Sequence, residues 1–325
     1  MDERKERSLV IRKKYLYETV IKALKLHSSY EIPRLKLPRA KRRLVVGSGN
    51  ALPTARIIFR DEDAIFADEG QYRDALKRTP TIKSAVVISA SGEKDAPGIT
   101  HDLIQRGLNV CLLTCNGKSR AARLLPADHV VVTKKLKRAD EPYTYNTSTY
   151  MGMMLLNSRE DPERILTHLE EAITPHVPNL SGYNAFYLIL EPRFDPLREM
   201  FVTKFDELFG PMLTGRCYTL TQTHHAKTLV PSPRELFISF GYPNQTFGHA
   251  DARWNVPLFE GASYVAMMAI GYYVIGRIQA QFPPWFFNNV VHYKTLQKRR
   301  FKRRAKRSGR GRGKQKQRFR LAKPS

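Results

Sequence analysis

Between residues 43 and 133, five short and almost uninterrupted apolar runs alternate with segments of helical character, a pattern that few folds accept. The runs are 43–49, 64–67, 83–90, 109–115 and 129–133. A strand with one wet face alternates apolar and polar residues. Runs such as Leu44-Val45-Val46 and Val86-Val87-Ile88 do not alternate, so both faces must be covered. The segments between them, 54–60, 97–106 and 119–125, read as helices and supply the cover. Strand–helix alternation of this kind predicts an α/β fold with a doubly wound parallel sheet. Ligands in such sheets bind beyond the carboxyl ends of the strands.

Further along, the alternation thins. Helices are predicted at 147–156 and 162–174, the latter with Ile165, Leu166, Leu169 and Ile173 on one stripe. A strand follows at 185–190, then a helix at 196–209 that opens on a proline. Another strand at 235–240 and a long apolar helix at 257–279 complete a second, smaller block of two to four strands. Upstream, apolar residues at roughly helical spacing (Leu9, Ile11, Tyr15, Tyr17, Val20, Ile21, Leu24) predict an amphipathic helix over 8–28 lying on the body, and Pro33 and Pro38 break the chain into a basic linker. The uncharged run 261–276 is too short and too rich in Tyr and Gly for a membrane span and reads as a buried helix.

The net charge of +25 is confined to the ends. Residues 294–325 hold 16 Lys and Arg and no Asp or Glu, residues 1–43 carry a net +9, and 44–293 are neutral with 25 charges of each sign. Four segments follow: a basic arm over 1–43, a first lobe over 44–158, a second lobe over 159–293 and a basic tail over 294–325. The tail is too charged to fold alone. Lys298, Arg299, Arg300, Lys302, Arg303, Arg304, Lys306, Arg307, Arg310 and Arg312 form its densest stretch, suited to neutralising the phosphates of RNA or DNA, with Phe301 and Phe319 able to stack on bases. It lacks the apolar face of a membrane helix, so no membrane partner is expected. Three cysteines, Cys111, Cys115 and Cys217, give no disulfide framework, and the first residues have no apolar stretch of a secretory signal. An intracellular location is expected, cytoplasmic or nuclear.

The run 83–90 ends in Ser89-Ala90-Ser91-Gly92, followed by Glu93, Lys94 and a predicted helix. Two hydroxyls, a glycine and the free amides of a helical first turn all donate toward one point, which suits a phosphate; the same residues also suit a plain helix cap. No His or Cys stands at metal-ligand spacing, so neither a metal nor a cofactor is expected.

Several stretches together resemble the sugar isomerase (SIS) domain family, most of all the isomerase domains of glucosamine-6-phosphate synthases. Ala67-Asp-Glu-Gly-Gln-Tyr-Arg73 is similar to the family's segment after its second strand. Ile88-Ser-Ala-Ser-Gly-Glu93 is similar to its phosphate loop, Asn146-Thr-Ser-Thr149 to a turn that opens a helix, and Val256-Pro-Leu258 to the start of its closing helix. The resemblance implies two SIS-type lobes, the second shortened, usually paired as a homodimer. It implies a phosphosugar held by Ser89, Ser91 and Lys94, with Asn50 and Ser148 lining the sugar. For aldose–ketose isomerisation it implies Glu207 as the catalytic base and His224 as the ring-opening group.

This chain departs from the family pattern at three positions. Lys94 replaces a threonine, Ala51 a serine, and Asn289 a lysine, with Lys294 the nearest lysine beyond. The expected function is therefore a phosphosugar-binding protein of SIS type with weakened catalytic positions, attached by its basic ends to a nucleic-acid-containing assembly. An active phosphosugar isomerase is the alternative, and a sugar-phosphate-sensing regulator the third.

Overall fold

The computed structural model describes residues 14–142, 144–158, 160–225, 230–283 and 285–290. Its first sheet contains β1 (Arg43–Gly47), β2 (Ala64–Ala67), β3 (Ser84–Ile88), β4 (Asn109–Thr114) and β5 (Val130–Val132) in the order β2-β1-β3-β4-β5. Every neighbouring pair is parallel. Every residue of β1 is buried, as its unbroken apolar run requires. Between the strands lie α2 (Ala51–Ile58), α3 (Tyr72–Arg78) and α4 (Ala96–Gln105). The order reverses between β1 and β3, which opens a crevice at their carboxyl ends.

The helix predicted over 119–125 does not form. Only a 3-10 turn, Ala122–Leu124, is present: the Ser119 hydroxyl takes the Ala122 amide at 3.2 Å, and Pro126 stops the chain soon after. Conversely, α3 and the strands β7 and β9 were not read from sequence.

After α5 (Thr147–Leu155) and α6 (Pro162–His168), the second sheet contains β6 (Ala185–Leu190), β7 (Thr214–Thr219), β8 (Glu235–Phe240) and β9 (Arg253–Val256), again parallel, in the order β7-β6-β8-β9. This repeats the first sheet's pattern without its fifth strand. Two helices follow β6 and β7, α7 (Arg198–Phe209) and the short α8 (Leu220–His225). At this sheet's own crevice the chain supplies the filling: Glu191, after β6, is held by Arg193 at 2.8 Å, and a Cβ at Gly241 would stand 2.5 Å from the Glu191 carboxylate.

The closing helix α9 (Tyr264–Gln281) is buried nearly all round, so it lies inside the body. The Glu160 carboxylate caps it, accepting the amides of Ser263, Val265 and Ala266 at 2.7–3.0 Å. Against α9 packs the N-terminal helix α1 (Leu16–Ser28), which also touches α5 and α6. Leu16, Val20, Ala23 and Leu24 are fully buried, and the Leu16 amide donates to Gln279 Oε1 at 2.9 Å. Gly276 permits this approach, since a Cβ there would lie 2.1 Å from the Tyr17 nitrogen. The helix expected over 8–28 to lie on the body is thus, over Leu16–Ser28, built into it, and residues 8–13 lie outside the described residues.

The described residues up to Pro283 belong to one compact unit, and 285–290 to a second. Of the second unit, residues 285–290 are helical, with the Asn289 side-chain amide Nδ2 donating to the Trp285 carbonyl at 2.8 Å. The basic tail, including every nucleic-acid candidate from Lys298 to Arg312, lies outside the described residues, as does Lys294. No helix among the described residues is long and apolar enough to cross a membrane.

Candidate functional site

A cavity of about 350 Å³ opens at the reversal point of the first sheet. Its floor is the carboxyl ends of β1 and β3 (Val46, Gly47, Val87, Ile88), and its rim is Ser48, Gly49, Ser89, Ala90, Ser91, Lys94 and Asp95, with Glu69 and Tyr150 at the sides. The turn after β3 is shaped by its own hydroxyls. Ser89 Oγ accepts the Gly92 amide at 3.1 Å, and Ser91 Oγ accepts the Glu93 amide at 3.3 Å. Each hydroxyl uses a lone pair in this way and keeps its proton for a ligand.

Gly92 has φ +64° and is buried against Ser119, where a Cβ would come within 2.2 Å of the Ser119 hydroxyl; no other residue fits. The first turn of α4 follows at the cavity with Ala96 in its lining, so the positive end of the helix lies beside the same space, although Pro97 supplies no amide. Glu93 is turned away by Arg120, which donates from Nε at 2.8 Å and from its backbone amide at 3.1 Å. That pairing holds the carboxyl below its usual range. Lys94 lines the cavity with its ammonium 3.5 Å from the Asp95 carboxylate.

The other sequence-derived sugar residues divide. Asn50 stands half-buried at the start of α2, between the lining residues Gly49 and Ala51 but not itself a lining residue. Ser148 does not reach the cavity. It is fully buried, donates its amide (3.0 Å) and its hydroxyl (2.5 Å) to the Glu141 carboxylate, and accepts the Leu136 amide at 2.9 Å. The physical reason is the start of α5: an anion is wanted at a helix N-terminus, and Glu141 already provides it. Burial pushes the Glu141 carboxyl up from its usual range. In this arrangement Ser148 serves the start of α5 and is not among the residues lining the cavity.

His27 closes the same network from α1. Its Nε2 faces the Ser148 carbonyl at 2.9 Å, so Nε2 carries the proton, and Nδ1 accepts from the Tyr30 hydroxyl at 3.0 Å. Burial, and secondarily Lys134, hold the imidazole below its usual pKa of 6.5. The unfolded chain then binds a proton that the folded chain refuses, so this group's contribution is present above pH 6.5 and is lost as pH falls. Glu141, shifted upward, acts in the opposite sense, which makes a difference measurement necessary. Urea unfolding of wild type and His27→Gln between pH 7.5 and 5.5 should show an acid loss in the wild type that the variant lacks. Parallel curves would remove His27 as its source.

Glu207 sits in the last turn of α7. Its carboxylate accepts from Lys204 Nζ at 2.6 Å, and Lys204 also donates to the Thr144 carbonyl at 3.0 Å. Lys204 is fully buried, with Nζ 5.4 Å from the centre of the Tyr272 ring. Tyr150 joins this pair to the cavity: it lines the cavity, and its hydroxyl pKa is raised by burial and then by the Glu207 charge. Around the pair, the Thr144, Thr147 and Tyr272 hydroxyl oxygens are buried with no hydrogen-bond partner. Thr144 (φ +80°) and Asn146 (φ +48°) adopt left-handed backbone. Left-handed backbone and unpartnered buried hydroxyls thus gather around the Lys204–Glu207 pair. The sequence reading missed Lys204, Tyr150 and Thr144; the Lys204–Glu207 spacing of three on a helix was the available signal.

His224 does not join Glu207. It follows β7 and packs edge-on against Phe247 with ring centres 5.0 Å apart. Glu207 precedes β7, so the two stand at opposite ends of a six-residue strand, about 20 Å long.

No family profile matches this sequence, and no curated protein matches it. Solved structures do. A glucosamine-6-phosphate deaminase of Thermotoga maritima superposes with a TM-score of 0.55 at 15% identity, covering 82% of this chain and 91% of its own. The C-terminal domain of a glucosamine-fructose-6-phosphate aminotransferase of Francisella tularensis gives 0.52 at 11% identity over 82% and 96%. A tagatose-6-phosphate ketose/aldose isomerase of Escherichia coli gives 0.51 at 13% identity over 82% and 86%. The chain shares with these sugar-phosphate proteins an α/β fold of parallel sheets flanked by helices.

Proposed function

We propose that this protein binds a phosphosugar at the carboxyl ends of β1 and β3 and has little or no isomerase activity. One observation carries the reading: Ser89 and Ser91 each keep a free hydroxyl proton at a cavity faced by the first turn of α4. The phosphate sits there and the sugar extends toward Tyr150. Weak catalysis is supported by the ion pair that engages Glu207 and by the departures at Ala51, Lys94 and Asn289. Calorimetric titration with glucose-6-phosphate, fructose-6-phosphate and glucosamine-6-phosphate tests the first claim, with the unphosphorylated sugars as controls. Binding should weaken about 10-fold or more in Ser91→Ala, as expected for a hydrogen bond to a charged group. No heat from any sugar phosphate at millimolar concentration would sink it. Interconversion of these sugars by the wild type, lost in Glu207→Gln, would instead establish the isomerase.

The basic ends attach this body to a nucleic-acid-containing assembly. Support comes from the charge distribution, with a neutral middle and 16 uncompensated cations in the tail. Pairing of two copies through the lobes belongs to the same reading and is checked by sedimentation.

A further inference from the structure

The edge of the first sheet opposite the sugar cavity carries a different feature. Two hollows of about 600 and 550 Å³ lie at the amino ends of the strands and share Arg39, Ala40, Lys41 and Asp63 in their walls, so they form one groove. Arg42, Lys83, Thr81, Ser84 and Asn109 complete the larger hollow. β3 is five residues long, which places the groove about 16 Å from the Ser89 turn.

The charges in the groove are not equivalent. Arg42 clasps Asp63 with Nε at 2.8 Å from both carboxylate oxygens, and Arg43 pairs with Glu62 at 2.6 Å. The acidic side chains are therefore already neutralised. Arg39, Lys41 and Lys83 are exposed and make no ion pair or side-chain hydrogen bond with any described residue. Helices α2, α3 and α4 end near this edge and would point carbonyl ends at it. Lys77 and Arg78 in the last turn of α3 and Arg106 just after α4 offset that negative end.

We infer that this groove is a binding surface for the phosphodiester backbone of a nucleic acid, independent of the tail. The wall chemistry favours that occupant. Free cations alternate with neutral donors and acceptors (Thr81, Ser84, Asn109), the mixture that contacts phosphates and sugars without reading bases. Apolar side chains are few in the walls, Ala40 and, in the smaller hollow, Leu37, and none is a large anchor for a lipid surface or a protein hot spot. The approach is extended chain as well: residues 31–40 have no helix or strand, and Arg34 and Lys36 lead exposed cations toward Arg39.

The experiment uses the full chain and a 4-thiouridine-bearing single-stranded RNA, with affinity measured from 0.05 to 0.3 M salt. A groove variant (Arg39→Gln, Lys41→Gln, Lys83→Gln) is compared with a tail variant in which the ten cations from Lys298 to Arg312 become Gln. Removal of three phosphate contacts should lower the log–log salt slope by about 2 and weaken binding about 10-fold at 0.15 M. Cross-links should fall within 36–42 and 81–84. Lys83→Gln alone, with a wild-type thermal midpoint, should lower the slope by about 0.7. An unchanged slope with no cross-links in those peptides overturns the groove and leaves the tail reading standing. A slope lowered only by the groove variant has the reverse meaning. Displacement of the RNA by polyglutamate at equal charge overturns the nucleic-acid assignment in favour of an acidic protein segment.

Discussion

Lys204→Met is expected to destabilise the fold by about 3 kcal/mol or more, the range found when one member of a buried ion pair is removed. The ammonium has no solvent exposure and two partners, the Glu207 carboxylate and the Thr144 carbonyl. Its loss strands both: Glu207, with a side chain 27% exposed, keeps a charge without its cation, and Thr144 keeps an unpaired carbonyl at a left-handed turn. A neutral pair should recover much of the deficit. The double variant Lys204→Met, Glu207→Leu is expected to unfold at higher urea than either single variant, because no stranded charge remains. Single variants within 1 kcal/mol of wild type would show that water reaches the pair and that the orphaned hydroxyls around it are solvated.

The second large effect is placed at Gly276. Valine there puts a Cβ 2.1 Å from the Tyr17 nitrogen and 2.9 Å from the Leu16 carbonyl carbon, both backbone atoms that cannot rotate away. α1 has to lift, and the fully buried Leu16, Val20 and Leu24 lose contact with α9. A loss of about 3 kcal/mol or more is expected in denaturant unfolding, at the upper end of overpacking costs, with amide exchange in α1 rising first. Unchanged protection of the Val20 and Leu24 amides would mean that the two helices separate at no cost. Tyr183→Phe, by contrast, changes a half-buried ring only at its edge and serves as a control.

Much of the first lobe was legible because its central strands β1, β3 and β4 are buried on both faces, and such runs between helical segments point to a covered parallel sheet. β2 and the later β6 and β8 match residue for residue the runs read from sequence. β7 was missed because Thr214-Gly215-Arg216 carries no apolar signal; its glycine is dictated by Phe205, whose ring lies 2.0 Å from where a Cβ would fall. β9, with Arg253 and Asn255 alternating against Trp254 and Val256, is too short to declare a period. In the site, Ser89, Ser91 and Lys94 were visible as a strand-end turn, since that chemistry is local. The placement of Ser148 and His224 was not legible because their partners are distant: Glu141 is seven positions from Ser148, and Phe247 is 23 from His224. Which side chain satisfies a helix end is decided by packing, and local sequence does not record it.

The pairing of α1 with α9 has a consequence for how the molecule is made. Leu16 and Gln279, joined by a hydrogen bond, are 263 positions apart. At roughly 5–20 residues per second, translation separates the two by about 13 s to nearly a minute. Throughout that interval α1 has been synthesised and the part of its apolar stripe that meets α9 has no partner, although α5 and α6 are available earlier, because α9 is the last helix of the body to leave the ribosome. The two sheets can assemble in sequence order, but the body closes only when its final helix meets its first. A nascent chain of this protein is therefore in greatest need of a chaperone at its oldest segment, not its newest.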